Sequence, residues 1–131
     1  MNDNYTALFR LVQAAMGNNY SSLPDNIDWE AVVALAARHG VGALTLDGLN
    51  ALYQSGYIAK EQIPSAKVRA QWGGYQERVK HNYRTQTLVL NELDDVLGKN
   101  NSKILVFKGY ALSQYFPTPM HREFGDIDMC T

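Results

Sequence analysis

Apolar positions recur at steps of three and four along roughly the first hundred residues, and this spacing predicts four helices. Tyr5–Met16 carries Leu8, Leu11, Val12 and Ala15 on one face, and Gly17-Asn18-Asn19 ends it, because Gly and Asn tolerate the left-handed turn after a helix. Asp28 is a good N-cap for a second helix, with Glu30 in its positive first turn, Trp29, Val32, Val33, Ala36 and Ala37 as its apolar face, and His39-Gly40 as its end. Val41–Gln54 reads as a third helix on Leu44, Leu46, Leu49, Leu52 and Tyr53, broken by Ser55-Gly56. The longest element runs from Pro64, suited to a first helical position, to Leu97, with Gly98 as its expected cap. Its stripe is Val68, Trp72, Tyr75, Val79, Tyr83, Leu90, Leu93 and Leu97, interrupted by Gln86. Gly73-Gly74 weakens it by ~1 kcal/mol per glycine against alanine and marks a bend or a close approach. Such a helix would be ~50 Å long at ~1.5 Å per residue.

After Lys99 the pattern changes. Ile104–Phe107 is a continuous apolar run, the signature of a strand covered on both faces. Lys108-Gly109 closes it, and Tyr110–Phe116 follows as a short helix stopped by Pro117 and Pro119. Asp126-Ile127-Asp128-Met129 then alternates with period two, which sets Ile127 and Met129 on one face of a strand and both aspartates on the other. The expected fold class is α+β, mainly helical: one long helix, then a small β element pairing Ile104–Phe107 with Ile127–Met129. If the two strands are antiparallel neighbours, the Lys108-Gly109 end of one lies beside the Asp-x-Asp start of the other.

Composition narrows the functional classes. The chain has 131 residues, enough for one ordinary domain, and is 46% hydrophobic and 19% charged, so it can bury a core. Twelve basic against 13 acidic residues leave a net charge of −1, which gives no basic field for a nucleic-acid backbone. Arg69, Arg78, Lys80, His81 and Arg84 do lie near aromatic residues of the long helix. Those aromatics belong to the aliphatic stripe, however, so the basic residues read as a solvated face. His39 fits the negative end of a helix dipole, and the sequence places no partner acid beside it. The one cysteine, Cys130, cannot form an internal disulfide. Asp3 and Arg10 are foreign to a secretory leader, and the longest apolar run, Ala31–Ala37, is far below the ~20 residues of a membrane span. A soluble, cytoplasmic protein is expected.

Two carboxylates two positions apart on a strand suit a divalent cation, because Mg²⁺ takes hard oxygen ligands and is commonly held by one or two carboxylates plus substrate phosphates. Gly109 allows close backbone approach by a phosphate, the N–H groups opening the Tyr110 helix favour an anion, and Lys108 and Arg122 can supply positive charge. A hairpin whose aspartates merely face solvent fits the same residues.

The phrase Lys108, Gly109, Leu112 and Tyr115-Phe116, followed by Arg122, Gly125, Asp126, Ile127 and Asp128, resembles a family of uncharacterised nucleotidyltransferases in the polymerase-beta-like superfamily. The segment from Asp28-Trp29 to Arg38-His39-Gly40-Val41 is similar to that family's helical lead-in. The resemblance implies a nucleoside triphosphate as substrate, with Mg²⁺ or Mn²⁺ held by Asp126 and Asp128 and transfer of a nucleoside monophosphate to an acceptor. Lys108, Gly109, Tyr110 and Arg122 would line the nucleotide. The same resemblance divides the chain into a helical region, 1–100, and the start of a nucleotidyltransferase core, 101–131. Three departures stand out: Tyr110 occupies the position of a small hydroxyl residue, the segment between glycine and aspartates is long, and no third carboxylate follows Asp128. The expectation is therefore the amino-terminal part of a nucleotidyltransferase, inactive by itself, against a non-enzymatic helical interaction module. A homodimer through the long helix or a free strand edge is also expected.

Overall fold

The computed structural model describes residues 2–17, 19–103, 105–107, 109–123 and 128–130. Four long helices come first: α1 (Asp3–Ala15), α2 (Trp29–Arg38), α3 (Gly42–Gln54) and α4 (Ala66–Lys99). Strand β1 (Leu105–Phe107), the short helix α5 (Gly109–Leu112), 3-10 turns at Ser113–Tyr115 and Pro119–His121, and strand β2 (Asp128–Cys130) complete the order. The mainly helical part of the expectation holds, and its α+β part, the small β element as the start of a sheet, is corrected. Among the described residues strand is confined to two segments of three residues each. They pair antiparallel as a ribbon with no third partner among the described residues. A ladder that short makes no sheet layer to set against the helices, so the described residues do not form the sheet start implied by the resemblance.

The chain divides into two compact units, Met1–Gln76 and Glu77–Thr131, and the division falls inside α4. In the first unit, α1, α2, α3 and the opening turns of α4 enclose a core of Leu11, Val32, Leu46, Leu49, Leu52, Ile58 and Trp72. Trp72 has no exposed surface, and its Nε1 donates to the carbonyl of Gly42 at 2.8 Å. Gln76 donates to the Ala43 carbonyl at 2.9 Å and to Asp47 Oδ1 at 3.0 Å, so α4 is fixed to the first turns of α3 by side-chain hydrogen bonds as well as by apolar packing. Helices α1 and α3 cross where α3 has only a glycine: a Cβ built on Gly48 would stand 1.9 Å from the carbonyl oxygen of Leu11. Asp28 caps α2 through its Oδ1, which accepts from Ala31 N at 3.2 Å. Gly40 and Gly56 end α2 and α3 in the left-handed conformation, at φ 70° and 78°.

Two boundaries of α4 differ from expectation. The helix starts at Ala66 rather than Pro64, with Ser65 Oγ accepting from Val68 N at 3.3 Å. Ser65 therefore supplies the cap, and Pro64 stays outside. Gly98 lies within the helix, which ends one residue later at Lys99: Ser102 N bonds Leu97 O at 2.8 Å and Asn101 N bonds Gly98 O at 3.2 Å. Asn101 takes the left-handed position at φ 58°. This is a Schellman closure built on asparagine. Nothing lies within 4 Å of a Cβ built on Gly73, so this glycine is not itself a point of close approach.

Candidate functional site

The sequence-predicted residues fall in the second unit. Lys108 and Asp126 lie outside the described residues. Gly109 opens α5 two positions after the end-paired Phe107, and β2 begins at Asp128. The register pairs Leu105 with Cys130, Val106 with Met129 and Phe107 with Asp128. The backbone of Asp128 is therefore opposite Phe107, the last residue of β1. Directly opposed residues in an antiparallel pair have Cα atoms ~4.5–5.5 Å apart. The start of α5 at Gly109 and the start of β2 at Asp128 thus both adjoin the Phe107–Asp128 end of a short ribbon, although they are 19 positions apart in the chain.

Tyr110 has its side chain committed to α4. Its ring stacks on Tyr83 with centroids 4.9 Å apart and planes 18° from parallel. Its hydroxyl lies 2.7 Å from Thr87 Oγ1. Ser113, fully buried, sits one turn further along and places its Oγ 2.8 Å from the Tyr83 hydroxyl. The donors follow from counting protons, since a hydroxyl has one and a carbonyl none. Ser113 donates to the Tyr110 carbonyl at 2.5 Å, so Tyr83 donates to Ser113 and accepts from Gln114 Nε2 at 3.0 Å. Thr87 donates to the Tyr83 carbonyl at 3.0 Å, so Tyr110 donates to Thr87. Burial pushes the Tyr110 phenol above its ordinary pKa, the Thr87 hydroxyl opposes this because it can turn to donate to a phenolate, and Tyr83 adds to the rise.

Arg122 is held locally. Its Nη1 donates to the Glu123 carbonyl at 2.7 Å, and its guanidinium carbon stands 5.9 Å from the centre of the Phe116 ring. The 3-10 turn before it, Pro119–His121, buries His121. The Tyr110–Phe116 helix of the sequence reading is α5 continued by the 3-10 turn Ser113–Tyr115. Positions Tyr110 and Ser113, three apart, face α4, while Leu112 and Tyr115 are exposed.

Sequence reasoning did not single out Tyr83, Thr87, Ser113 or Gln114. Tyr83 reads as one more member of an apolar stripe, and Thr87 lies one turn beyond it. The available signal was the polar Gln86-Thr87 interruption of that stripe, facing a short helix with its own hydroxyl residues at spacing three. A hollow of about 740 Å³ opens at the C-terminal end of α4, lined by Asp94, Asp95, Gly98, Lys99, Asn101, Ser102 and Lys103. Among the described residues no three His, Cys, Asp or Glu side chains gather where they could hold a metal. Nor is any helix among them long and apolar enough to cross a membrane.

No curated protein and no solved structure matches the chain. A family described as uncharacterised nucleotidyltransferase matches residues 25–131, a span that includes α2, α3, α4 and the whole of the segment from Gly109 to Asp128. The chain belongs to this uncharacterised nucleotidyltransferase family.

Proposed function

We propose that the chain contributes the glycine turn and the Asp-x-Asp carboxylates of a nucleotidyltransferase that transfers a nucleoside monophosphate from a nucleoside triphosphate to an acceptor. The observation that carries this reading is the antiparallel register, Phe107 opposite Asp128, which joins two distant parts of the chain beside Gly109. A solvent-facing hairpin needs neither the glycine nor the acid Asp128 at that end. The donor chemistry also fits: Asp126 and Asp128 offer hard carboxylate oxygens at spacing two, the kind of donor Mg²⁺ or Mn²⁺ takes. The bound metal would neutralise phosphate charge and stabilise attack at phosphorus.

The residues of the chain have separate tasks in this reading. Asp126 and Asp128 hold the metal. Gly109, without a side chain, leaves room for a phosphate against the backbone. Lys108 adds positive charge near the same turn. Arg122, anchored over Phe116 and on the Glu123 carbonyl, supplies a fixed charge at the far end of the connecting loop. Tyr110 contributes its backbone to the nucleotide side and its side chain to α4.

Calorimetric titration of the chain with non-hydrolysable nucleoside triphosphate analogues, with and without Mg²⁺, tests the reading. Mg²⁺-dependent binding that Asp128→Asn abolishes is expected. Binding unaffected by Mg²⁺ and by Asp128→Asn, or no binding with any of the four bases, would overturn it.

A further inference from the structure

We infer that Tyr83 and Thr87, both on α4, are positioning residues that set the conformation of the Gly109–Tyr110 turn. The inference rests on the nucleotide-binding reading of that turn and adds to it a role for the long helix, which the sequence presents as packing alone.

Three connections lead from α4 into the turn. The rings of Tyr83 and Tyr110 stack at 4.9 Å, the Tyr110 hydroxyl bonds Thr87 at 2.7 Å, and the Tyr83 hydroxyl bonds Ser113 at 2.8 Å. Each end of this network is itself fixed. Thr87 is oriented by its bond to the Tyr83 carbonyl, and Ser113 by its bond to the Tyr110 carbonyl. Tyr110 is therefore held by its ring, its hydroxyl and its carbonyl oxygen. Gly109, directly before it, has the widest backbone freedom of any residue type and no side chain to anchor it. A backbone intended to meet a phosphate must be held in place by its neighbours, since misplacement by about 1 Å can cost on the order of 100-fold in rate. Helix α5 has only four residues and offers little rigidity of its own. Helix α4, with 34 residues, is the rigid element available, and it presents Tyr83 and Thr87 one turn apart to that purpose.

The network does not read as ordinary core filling. Pure packing at Tyr83 and Ser113 would be met by apolar side chains, whereas a full set of directed bonds fixes one arrangement. Tyr83 is 8% exposed and Ser113 fully buried, so these hydroxyls bond inside the protein.

The test uses Thr87→Val, which keeps shape and removes the hydroxyl, Thr87→Ser, which restores it, and Tyr83→Phe, which keeps the ring and removes the bond to Ser113. Two quantities are read for each: affinity for a Mg²⁺–nucleoside triphosphate analogue, and amide exchange at 109–115. Thr87→Val and Tyr83→Phe should each weaken affinity about fivefold, the size of one lost hydrogen bond, and speed exchange in the turn. Thr87→Ser should bind as the parent does. If the parent binds and Thr87→Val and Tyr83→Phe bind equally well, the positioning role is wrong and the nucleotide site stands. If the parent binds no nucleotide, the site reading falls and takes the positioning role with it. Should Tyr83→Phe fail to fold, the Thr87→Val and Thr87→Ser pair decides the matter alone.

Discussion

Replacing Gly48 by alanine should destabilise the protein, although alanine is the better helix former. In the interior of α3 the substitution gains about 1 kcal/mol of intrinsic helix propensity. Against that, the new Cβ would lie 1.9 Å from the Leu11 carbonyl oxygen, 2.7 Å from its carbon and 3.0 Å from its Cα. Ordinary van der Waals contact for a Cβ begins near 3.4 Å, so α1 and α3 must separate by more than 1 Å. All three atoms are backbone, and no side chain can swing aside to relieve the overlap. Overpacking a close-packed interior costs about 1–3 kcal/mol when side chains can adjust, and here they cannot. Leu11 and Leu52 have no exposed surface, so separation also opens space around the core they share. The net loss should be about 2 kcal/mol or more. Gly73→Ala is the matched control, because nothing lies within 4 Å of its Cβ position. It should stabilise by about 0.5–1 kcal/mol. Both tryptophans, Trp29 and Trp72, pack in the same unit as these glycines, with ring centroids 6.2 Å apart, so urea denaturation followed by tryptophan fluorescence reports on the right part of the chain. With unchanged slopes the midpoints should move in opposite directions, down by about 1 M for Gly48→Ala at a slope near 2 kcal/mol/M. A Gly48→Ala protein as stable as the parent would refute the close crossing of α1 and α3.

Other outcomes follow from single contacts. Trp72→Phe should cost about 2–3 kcal/mol in the same assay, because it removes the indole hydrogen bond to Gly42 and leaves unfilled volume in the core. In an ultraviolet titration Tyr110 should ionise later than an exposed phenol, and Tyr110→Phe should remove a late phase from the curve of eight tyrosines. The sign for stability follows: a phenol whose pKa is raised by folding contributes fully below the unfolded value of about 10, and that contribution is lost as pH climbs through the folded value. Stability of the second unit should therefore fall above about pH 10 less steeply in Tyr110→Phe than in the parent.

Much of the helical architecture is legible in the sequence, and the misreadings have identifiable causes. Asp28, Gly40 and Gly56 announce helix ends because each supplies a conformation or an oxygen that local geometry requires. Pro64 and Gly98 carry equally strong local signals but lose to neighbours: Ser65 can bond an orphan N–H, which proline cannot, and Asn101 reaches the left-handed turn after the helix has run past Gly98. Gly48 and Gly73 look alike in sequence, yet one is a crossing point and the other is open, a distinction made by α1 and invisible to any local rule. The β element was overestimated because a continuous apolar run specifies burial, not the number of partners, and three residues with one partner do not form a sheet. The partners of the Tyr110 side chain, Tyr83 and Thr87, stand more than 20 positions upstream, beyond the reach of any local rule. Periodicity shows that Tyr83 is buried but cannot show against what.

The central proposal, drawn from the place of Asp128 opposite Phe107, is that Asp126 and Asp128 hold a divalent metal. Titrating Mn²⁺ into isotope-labelled protein and recording paramagnetic broadening of amide signals tests it most directly, because the effect is strongest near the bound ion and reports on position as well as binding. Broadening should centre on residues 105–110 and 126–130, strengthen when a nucleoside triphosphate analogue is present, and vanish from both segments in the double variant Asp126→Asn/Asp128→Asn. Broadening that persists unchanged in that variant, or that centres on Asp94 and Asp95 at the end of α4, would contradict the account.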